Sequence, residues 1–211
     1  MSNGAWEFWI DRGGTFTDIV GKRPDGQLIT HKLLSENPER YEDAAVQGIH
    51  DLIGSSDLPD GAIKAVKMGT TVATNALLER KGDPVLLLIT RGFRDLLRIG
   101  YQTRPKLFDL HIQRPELLYD DVAEVDERLD AEGAVVVPLN LDAARTAMID
   151  AYAKGIRGIA IGLLHAHVNP DHEVQLAALA DEIGFEQIST SHRVSRLAKL
   201  VGRGDTTVVD A

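Results

Sequence analysis

An α/β fold is predicted for this 211-residue chain by three observations. The opening stretch alternates apolar and polar positions about an Asp25-Gly26 pair. Further on, short apolar runs alternate with segments whose apolar residues recur at helical spacing. One of those runs, residues 85–89, is apolar throughout, as expected of a strand covered on both faces.

Residues 5–12, 15–22 and 27–34 read as a β-meander, with Asp25-Gly26 at its second turn, because the favoured hairpin turn needs positive φ at both centres. Asn37-Pro38 reads as a helix cap and first helical residue, since proline lacks only an N–H that would be unpaired there. Ala45, Ile49, Leu52 and Ile53 supply that helix with an apolar stripe, and Gly54 is its stop. Residues 65–68 form a short strand running into Gly69-Thr70-Thr71, and Val72, Ala76 and Leu77 fit a helix ending at Gly82. The buried strand at 85–89 closes on Thr90-Arg91-Gly92, and residues 93–99 read as helix. The order β-β-β-α-β-α-β-α, with a glycine-rich turn between the first two strands, is that of the ribonuclease-H-like lobe of the actin and sugar-kinase superfamily. By that analogy residues 1–100 are expected to be a phosphate-binding lobe.

Residues 101–121, which include Pro105 and Pro115, follow no period and read as a long ordered loop. Strands at 122–125 and 135–137, a helix at 141–154, an apolar strand at 159–164, a helix from Asn169-Pro170 to Gly184 and a strand at 185–189 make an α/β subdomain over residues 122–211. No internal repeat, low-complexity stretch or long flexible linker interrupts the two parts. Residues 206–211 read as the start of a strand or helix without a partner, and the second nucleotide-binding lobe of such a fold is expected beyond residue 211.

A net charge of −9 argues against broad electrostatic binding to nucleic acid or anionic membranes, so small molecules and other proteins are the expected partners. The absence of cysteine excludes disulfides, thiolate metal sites and cysteine nucleophiles, and fits a reducing compartment. The N-terminus lacks a basic region followed by an apolar core, and no apolar run is long enough to span a bilayer; a cytoplasmic location is expected.

The strongest chemical motif is Asp11-x-Gly13-Gly14-Thr15-x-Thr17-Asp18. Two glycines allow a sharp turn and close approach of backbone to a ligand, while threonine hydroxyls and freed N–H groups donate to phosphate oxygens. Asp11, at the end of the first strand, is placed to hold a water on phosphate-bound Mg²⁺, which keeps several waters and needs few protein carboxylates; Asp18 is a second candidate. A plain hairpin turn between solvated aspartates is the competing reading, which the strand order disfavours.

The segment FWIDRGGTFTDIV, then DGQLITHKLLSENPERYEDAAVQGI, MGTTVATNALLERKG, LLLITRGFRDLLRIGYQTRPKLFDL and LLHAHVNPDHE, resembles the N-terminal region of the hydantoinase A and 5-oxoprolinase family over nearly the whole chain. The HKLLSENPE stretch with its WID first strand is most similar to the bacterial ATP-hydrolysing 5-oxoprolinase branch. The resemblance implies ATP hydrolysis coupled to opening of the 5-oxo-L-proline lactam, giving L-glutamate, ADP and phosphate, with ATP and Mg²⁺ required. It implies that Asp11 organises Mg²⁺, that Gly13, Gly14 and Thr15 cradle phosphates, and that Thr17 and Asp18 complete the loop, the two aspartates being the catalytic carboxylates. Family members acting on hydantoins, or activating ketones for carboxylation, would share the site. The implied partners are a small cyclic amide and the remaining lobes of the same enzyme or a hydantoinase B-like subunit, in a homo-oligomeric full enzyme. The 211 residues alone are then expected to be inactive. A non-catalytic assembly module is the alternative of another class.

Further candidates lie downstream. Gly69-Thr70-Thr71-x-x-x-Asn75 places two hydroxyls and a helix N-terminus after a strand, suited to an anionic or amide-bearing substrate, or else to a simple helix cap. Arg91 follows the central strand where open α/β sheets bind ligands, with Arg94, Asp95, Arg98 and Arg104 as further cleft candidates; surface ion pairs are the plainer explanation. His165 and His167, alternating on one strand face, with His172 and Glu173, have a spacing compatible with a metal. The Asn-Pro cap and helix that follow instead favour buried or hydrogen-bonded histidines. Trp6 and Trp9 are expected to pack on opposite faces of the first strand.

Overall fold

The computed structural model describes residues 5–55, 60–103, 108, 110–111 and 116–211. The chain forms two compact α/β units, residues 1–81 and 82–211.

The first unit is built on β1 (Trp6–Arg12), β2 (Phe16–Lys22), β3 (Leu28–Leu34) and β4 (Ile63–Thr70). They form one sheet in the order β3-β2-β1-β4, antiparallel except for the parallel β1–β4 pair. The β2–β3 turn closes where expected: Gly26 has φ 90°, and its N–H bonds the Arg23 carbonyl. The period-2 pattern sends Phe8, Ile10 and Ile19 to one face, where Ala45 and Ile49 of α1 (Ala44–Ile53) cover them. Trp6 stacks on Phe8 on this side, whereas Trp9 faces the other way beneath Lys67. The helix starts later than Asn37-Pro38. Asn37 accepts the N–H groups of Arg40 and Tyr41 in an isolated turn, and Asp43 is the N-cap, accepting from Val46 N at 2.9 Å. Asp43 also takes the Arg12 guanidinium at 3.0 Å, a tertiary contact that fixes which of several capping residues is used. Gly54 ends the helix at φ 78°. The second helix, α2 (Val72–Glu79), buries no residue.

The second unit holds β5 (Val85–Thr90), β6 (Asp121–Val125), β9 (Gly158–Gly162) and β10 (Gln187–Thr190) in a wholly parallel sheet of order β10-β9-β5-β6, with a separate hairpin of β7 (Arg128–Leu129) and β8 (Val135–Val137). Helices α4 (Leu141–Ala153) and α5 (Asp171–Ile183) cover Leu86, Leu88, Ile159 and Ile161 on one face. Leu87, Ile89 and Ala160 pack with Leu200 and Val208 of α7 (Leu200–Asp210) on the other, beside the short α3 (Leu96–Ile99); α6 (Ser191–Val194) precedes α7. Every residue of β5 and β9 is buried, and this places the boundary between units. The strand at 85–89 was expected to complete the opening lobe over residues 1–100. A strand apolar on both faces requires cover on both, and only the second sheet supplies it, so β5 and α3 belong there and the units part after Lys81. Residues 206–211, expected to begin an element without a partner, lie at the end of α7, which packs on β9 and β10.

Candidate functional site

The turn between β1 and β2 carries the Gly-Gly-Thr motif, and its shape is fixed from behind. Gly13 N–H bonds the Phe16 carbonyl at 2.9 Å, and the Thr15 carbonyl accepts Ser35 N–H at 2.9 Å. The Ser35 hydroxyl donates to the Gly13 carbonyl at 2.6 Å, so the Thr17 hydroxyl, 3.0 Å away, donates to Ser35. In a planar trans peptide the N–H points opposite the carbonyl, so anchoring Gly13 C=O on Ser35 turns Gly14 N–H outward. Neither the Gly14 nor the Thr15 N–H has a partner among the described residues. Thr17 itself is fully buried and committed to this relay. It holds the loop and does not face a ligand, contrary to the expectation that its hydroxyl would meet a phosphate. Ser35, the other half of the relay, carries no sequence signal linking it to a motif eighteen residues upstream.

The glycines are required for space and not for handedness, since neither Gly13 nor Gly14 has positive φ. A Cβ on Gly13 would lie 3.0 Å from the Phe16 carbonyl, and one on Gly14 would lie 2.8 Å from Asn75 Nδ2. That second distance shows where the β4–α2 junction sits: parallel pairing of β1 with β4 sets Asp11 beside Gly69 and Arg12 beside Thr70. The Arg12 carbonyl takes Thr71 N–H at 3.2 Å and the Thr70 hydroxyl at 3.1 Å, while Thr70 Oγ1 accepts Val72 N–H at 3.1 Å. Thr70 therefore clamps the two turns together. Asn75 Nδ2 reaches Thr71 Oγ1 at 3.5 Å, leaving the Thr71 hydroxyl proton and the other Asn75 amide proton beside the Gly-Gly-Thr turn. The two motifs read separately in the sequence form one rim of donors.

Beside it, on the sheet face opposite α1, Trp9, Asp11, Asp18, Val20, Lys67 and Met68 line a cavity of about 420 Å³. Asp11 and Asp18 are directly opposed across β1 and β2. Lys32 Nζ bonds both Asp18 oxygens at 2.9 Å, which offsets the repulsion between the two carboxylates. Asp11 is exposed, and its carboxylate makes no hydrogen bond or ion pair among the described residues. It is the carboxylate that fits a water-bridged Mg²⁺; Asp18 would have to release Lys32 first.

Arg91 belongs to the second unit, where it pairs with Asp126 at 2.6 Å. Arg94 and Arg98 are exposed, Asp95 precedes α3 without capping it through its side chain, and Arg104 lies outside the described residues. The expected strand at 159–164 ends at Gly162, so His165 and His167 sit in a turn and not on a strand face. His172 and Glu173 open α5 and diverge into two buried networks. His172 Nδ1 meets Glu127 Oε2 at 2.8 Å, and Glu127 Oε1 receives the Thr90 hydroxyl in a short hydrogen bond, with Leu164 N–H donating to Thr90 Oγ1 at 2.8 Å. Glu173 accepts Leu163 N–H at 2.9 Å, Ser191 Oγ at 2.6 Å, His192 N–H at 3.0 Å and His192 Nδ1 at 2.7 Å. Arg203, wholly buried, donates to Ser191 Oγ at 2.9 Å and to the carbonyls of Leu163 and Leu197 at 2.6 Å each. No group of three or more histidine or acidic side chains among the described residues is arranged to hold a metal ion.

The model of the hydantoinase/oxoprolinase N-terminal region matches residues 7–184. A 5-oxoprolinase of Dictyostelium discoideum is 42% identical over 97% of the chain, which spans 19% of that relative. The ATP-dependent caprolactamase of Pseudomonas jessenii superposes with a TM-score of 0.75 at 27% identity, over 96% of this chain and 30% of that one. Nucleotide-free acetone carboxylase superposes with a TM-score of 0.77 at 24% identity, over 96% and 31% respectively. No helix among the described residues is long and apolar enough to cross a membrane.

Proposed function

The chain belongs to the hydantoinase/oxoprolinase N-terminal family, and from that premise we propose that residues 1–81 are the phosphate-binding unit of an ATP-dependent cyclic amidase, with 5-oxo-L-proline as its substrate. The observation that carries the reading is the donor rim: Gly14 N–H, Thr15 N–H and hydroxyl, Thr71 hydroxyl and Asn75 amide beside the unpaired Asp11 carboxylate. Backbone N–H groups and a helix start, fixed before a ligand arrives, suit phosphate oxygens because no reorganisation is needed when charge moves. The sheet order β3-β2-β1-β4 with an antiparallel meander supports a ribonuclease-H-like reading of this unit. ATP supplies the γ-phosphoryl that turns the amide oxygen into a leaving group and leaves the carbon open to water. In that scheme Gly14, Thr15, Thr71 and Asn75 hold phosphate oxygens, Asp11 holds Mg²⁺ through water, Ser35 and Thr17 keep the loop in place, and Gly69 lets the site approach the β4 backbone. The chain spans about a fifth of its 5-oxoprolinase relative, so the adenosine-binding lobe and the lactam site draw on further residues of the same polypeptide or a partner subunit, with cytoplasmic location and homo-oligomeric assembly as part of the same reading.

Product analysis of the full-length enzyme, given ATP with 5-oxoproline, hydantoins or ketones, tests the proposal. ATP-dependent glutamate formation is expected, and Asp11→Ala should abolish it while leaving the melting curve unchanged. Undiminished turnover in Asp11→Ala would favour a non-catalytic assembly role. Ketone-dependent ATP hydrolysis without glutamate would move the substrate to the carboxylase side, the alternative that the acetone carboxylase fold supports.

A further inference from the structure

The second unit has a topological switch point in its strand order. In the order β10-β9-β5-β6, with all strands parallel, the chain leaves β5 toward β6 and leaves β9 toward β10. Connections that diverge from adjacent strands open a crevice at their carboxyl ends, where open α/β sheets bind ligands. The floor of this crevice is satisfied: Leu164 N–H is held by Thr90, Leu163 N–H by Glu173 and the Leu163 carbonyl by Arg203. Above it the backbone turns at His165, a non-glycine residue at φ 63° that closes a tight turn by accepting Val168 N–H at 2.8 Å. His165 and His167 rings lie 6.1 Å apart. Arg203 Nη1 is 3.3 Å from His167 Nδ1, and a guanidinium has no lone pair to offer, so Nδ1 must be the acceptor and Nε2 carries the proton. Burial, then Arg203, His165 and Arg196, hold the His167 pKa below its usual value, so the ring stays a neutral N–H donor in a cationic neighbourhood. Both carboxylates nearby, Glu127 and Glu173, are fully engaged with partners below.

We propose that the turn after β9, through His167 Nε2–H, His165 and Arg196, binds the carboxylate of a small organic acid at the crevice between β5 and β9. A neutral imidazole donor backed by a buried arginine, with exposed Arg196 close enough for its charge to act on that ring, matches an oxyanion and disfavours a cation. The site is independent of the phosphate loop, so it stands or falls apart from the amidase reading.

Long-range ¹H–¹⁵N spectra of the histidine rings test it directly in the 211-residue chain. At pH 7.5 His167 should show the Nε2–H tautomer, and titration with acetate, a carboxylate outside the amidase reading, should shift His165 and His167 saturably. Exposed Arg196→Ala should weaken that binding roughly tenfold or more, the loss of one charge-assisted contact, whereas exposed Arg193→Ala should leave it unchanged. Inorganic phosphate is the second arm. Binding of phosphate but no carboxylate would overturn the carboxylate assignment. An Nδ1–H tautomer, no saturable shift, or equal weakening by both arginine variants would overturn the site. ATP turnover enters none of these readouts.

Discussion

Replacing Glu173 by glutamine tests whether the buried network of the second unit is held by charge or only by shape. Glu173 is fully buried and accepts four hydrogen bonds, two on each oxygen. Glutamine, nearly the same size, can keep its carbonyl toward Leu163 N–H and Ser191. Its amide then faces the His192 N–H, donor against donor, while His192 Nδ1 keeps a partner only by giving up its proton and accepting from that amide. The charge-assisted bond from His192 N–H is lost, that from Nδ1 becomes a neutral one, and the buried Arg203 guanidinium loses its counter-charge where neither group has exposed surface. Removing one partner from such a group costs about 3–5 kcal/mol, and at roughly 3–5 °C per kcal/mol for a unit of this size that is a fall in Tm of about 9–25 °C. Calorimetry of the full chain reads it, with exposed Glu182→Gln as the control that should melt with wild type despite its Arg145 contacts. A Glu173→Gln protein melting within about 3 °C of wild type would refute the reasoning, because a network of neutral shape alone predicts that result.

Gly14→Ala should leave the melting curve within a few degrees of wild type, since the Cβ meets only the end of the Asn75 side chain, yet ATP-coupled turnover of the full enzyme should fall at least tenfold as the Asn75 amide is displaced. Thr17→Val removes the buried donor to Ser35 and should cost about 1 kcal/mol, read by denaturant titration, with a matching loss of nucleotide affinity as the turn loosens. Asp43→Ala removes both the α1 N-cap and the Arg12 contact and should cost about 1–2 kcal/mol in the first unit, read as a loss of stability without loss of phosphate-loop chemistry. His167 gives a pH dependence of known sign. Its folded pKa lies below the unfolded value of 6.5, so between the two the unfolded chain binds more protons. Its contribution is complete above about pH 6.5 and declines as the pH falls through that value. Stability curves of wild type and His167→Gln between pH 8 and pH 5 should therefore converge at the acid end; parallel curves would show that the ring is not held neutral.

What the sequence revealed depends on the range over which each signal acts. Asp25-Gly26, Gly54 and Gly184 act within a turn, and the structure puts positive φ at each glycine. The runs VLLLIT and GIAIG are buried at every position because apolarity without a period leaves no face for water. Which sheet a buried strand joins is a long-range matter, and β5 was assigned to the wrong one for that reason: its own residues are the same in either sheet. The helix start near residue 37 failed in the same way. Asn37 and Asp43 are both competent caps, and the choice rests on Arg12, thirty-one residues away. Glu127 and Arg203 were invisible for a related cause, and Glu173 drew notice only for a metal-like spacing with the histidines. Alone each reads as a solvated charge; only His172, forty-five residues from Glu127, and Ser191, twelve from Arg203, make burial tolerable.

The same distinction explains why the Gly-Gly-Thr turn was legible while its support was not. A ligand-binding turn needs small residues and outward N–H groups at consecutive positions, so Gly13, Gly14 and Thr15 advertise themselves. The direction of those N–H groups is set from behind, by Ser35 on β3's far end and by Thr70 and Thr71 at the close of β4, through bonds to Gly13 and Arg12 carbonyls. Such bonds impose no pattern on their own neighbours. It follows that variants at Ser35 and Thr70 should resemble variants in the turn itself, lowering phosphate affinity without touching the ligand, whereas Phe16 on β2 and Leu28 on β3, both exposed, should tolerate polar replacement. A Ser35→Ala protein that binds phosphate as tightly as wild type would mean that the turn holds its shape unaided, and the role of the relay would shrink to packing.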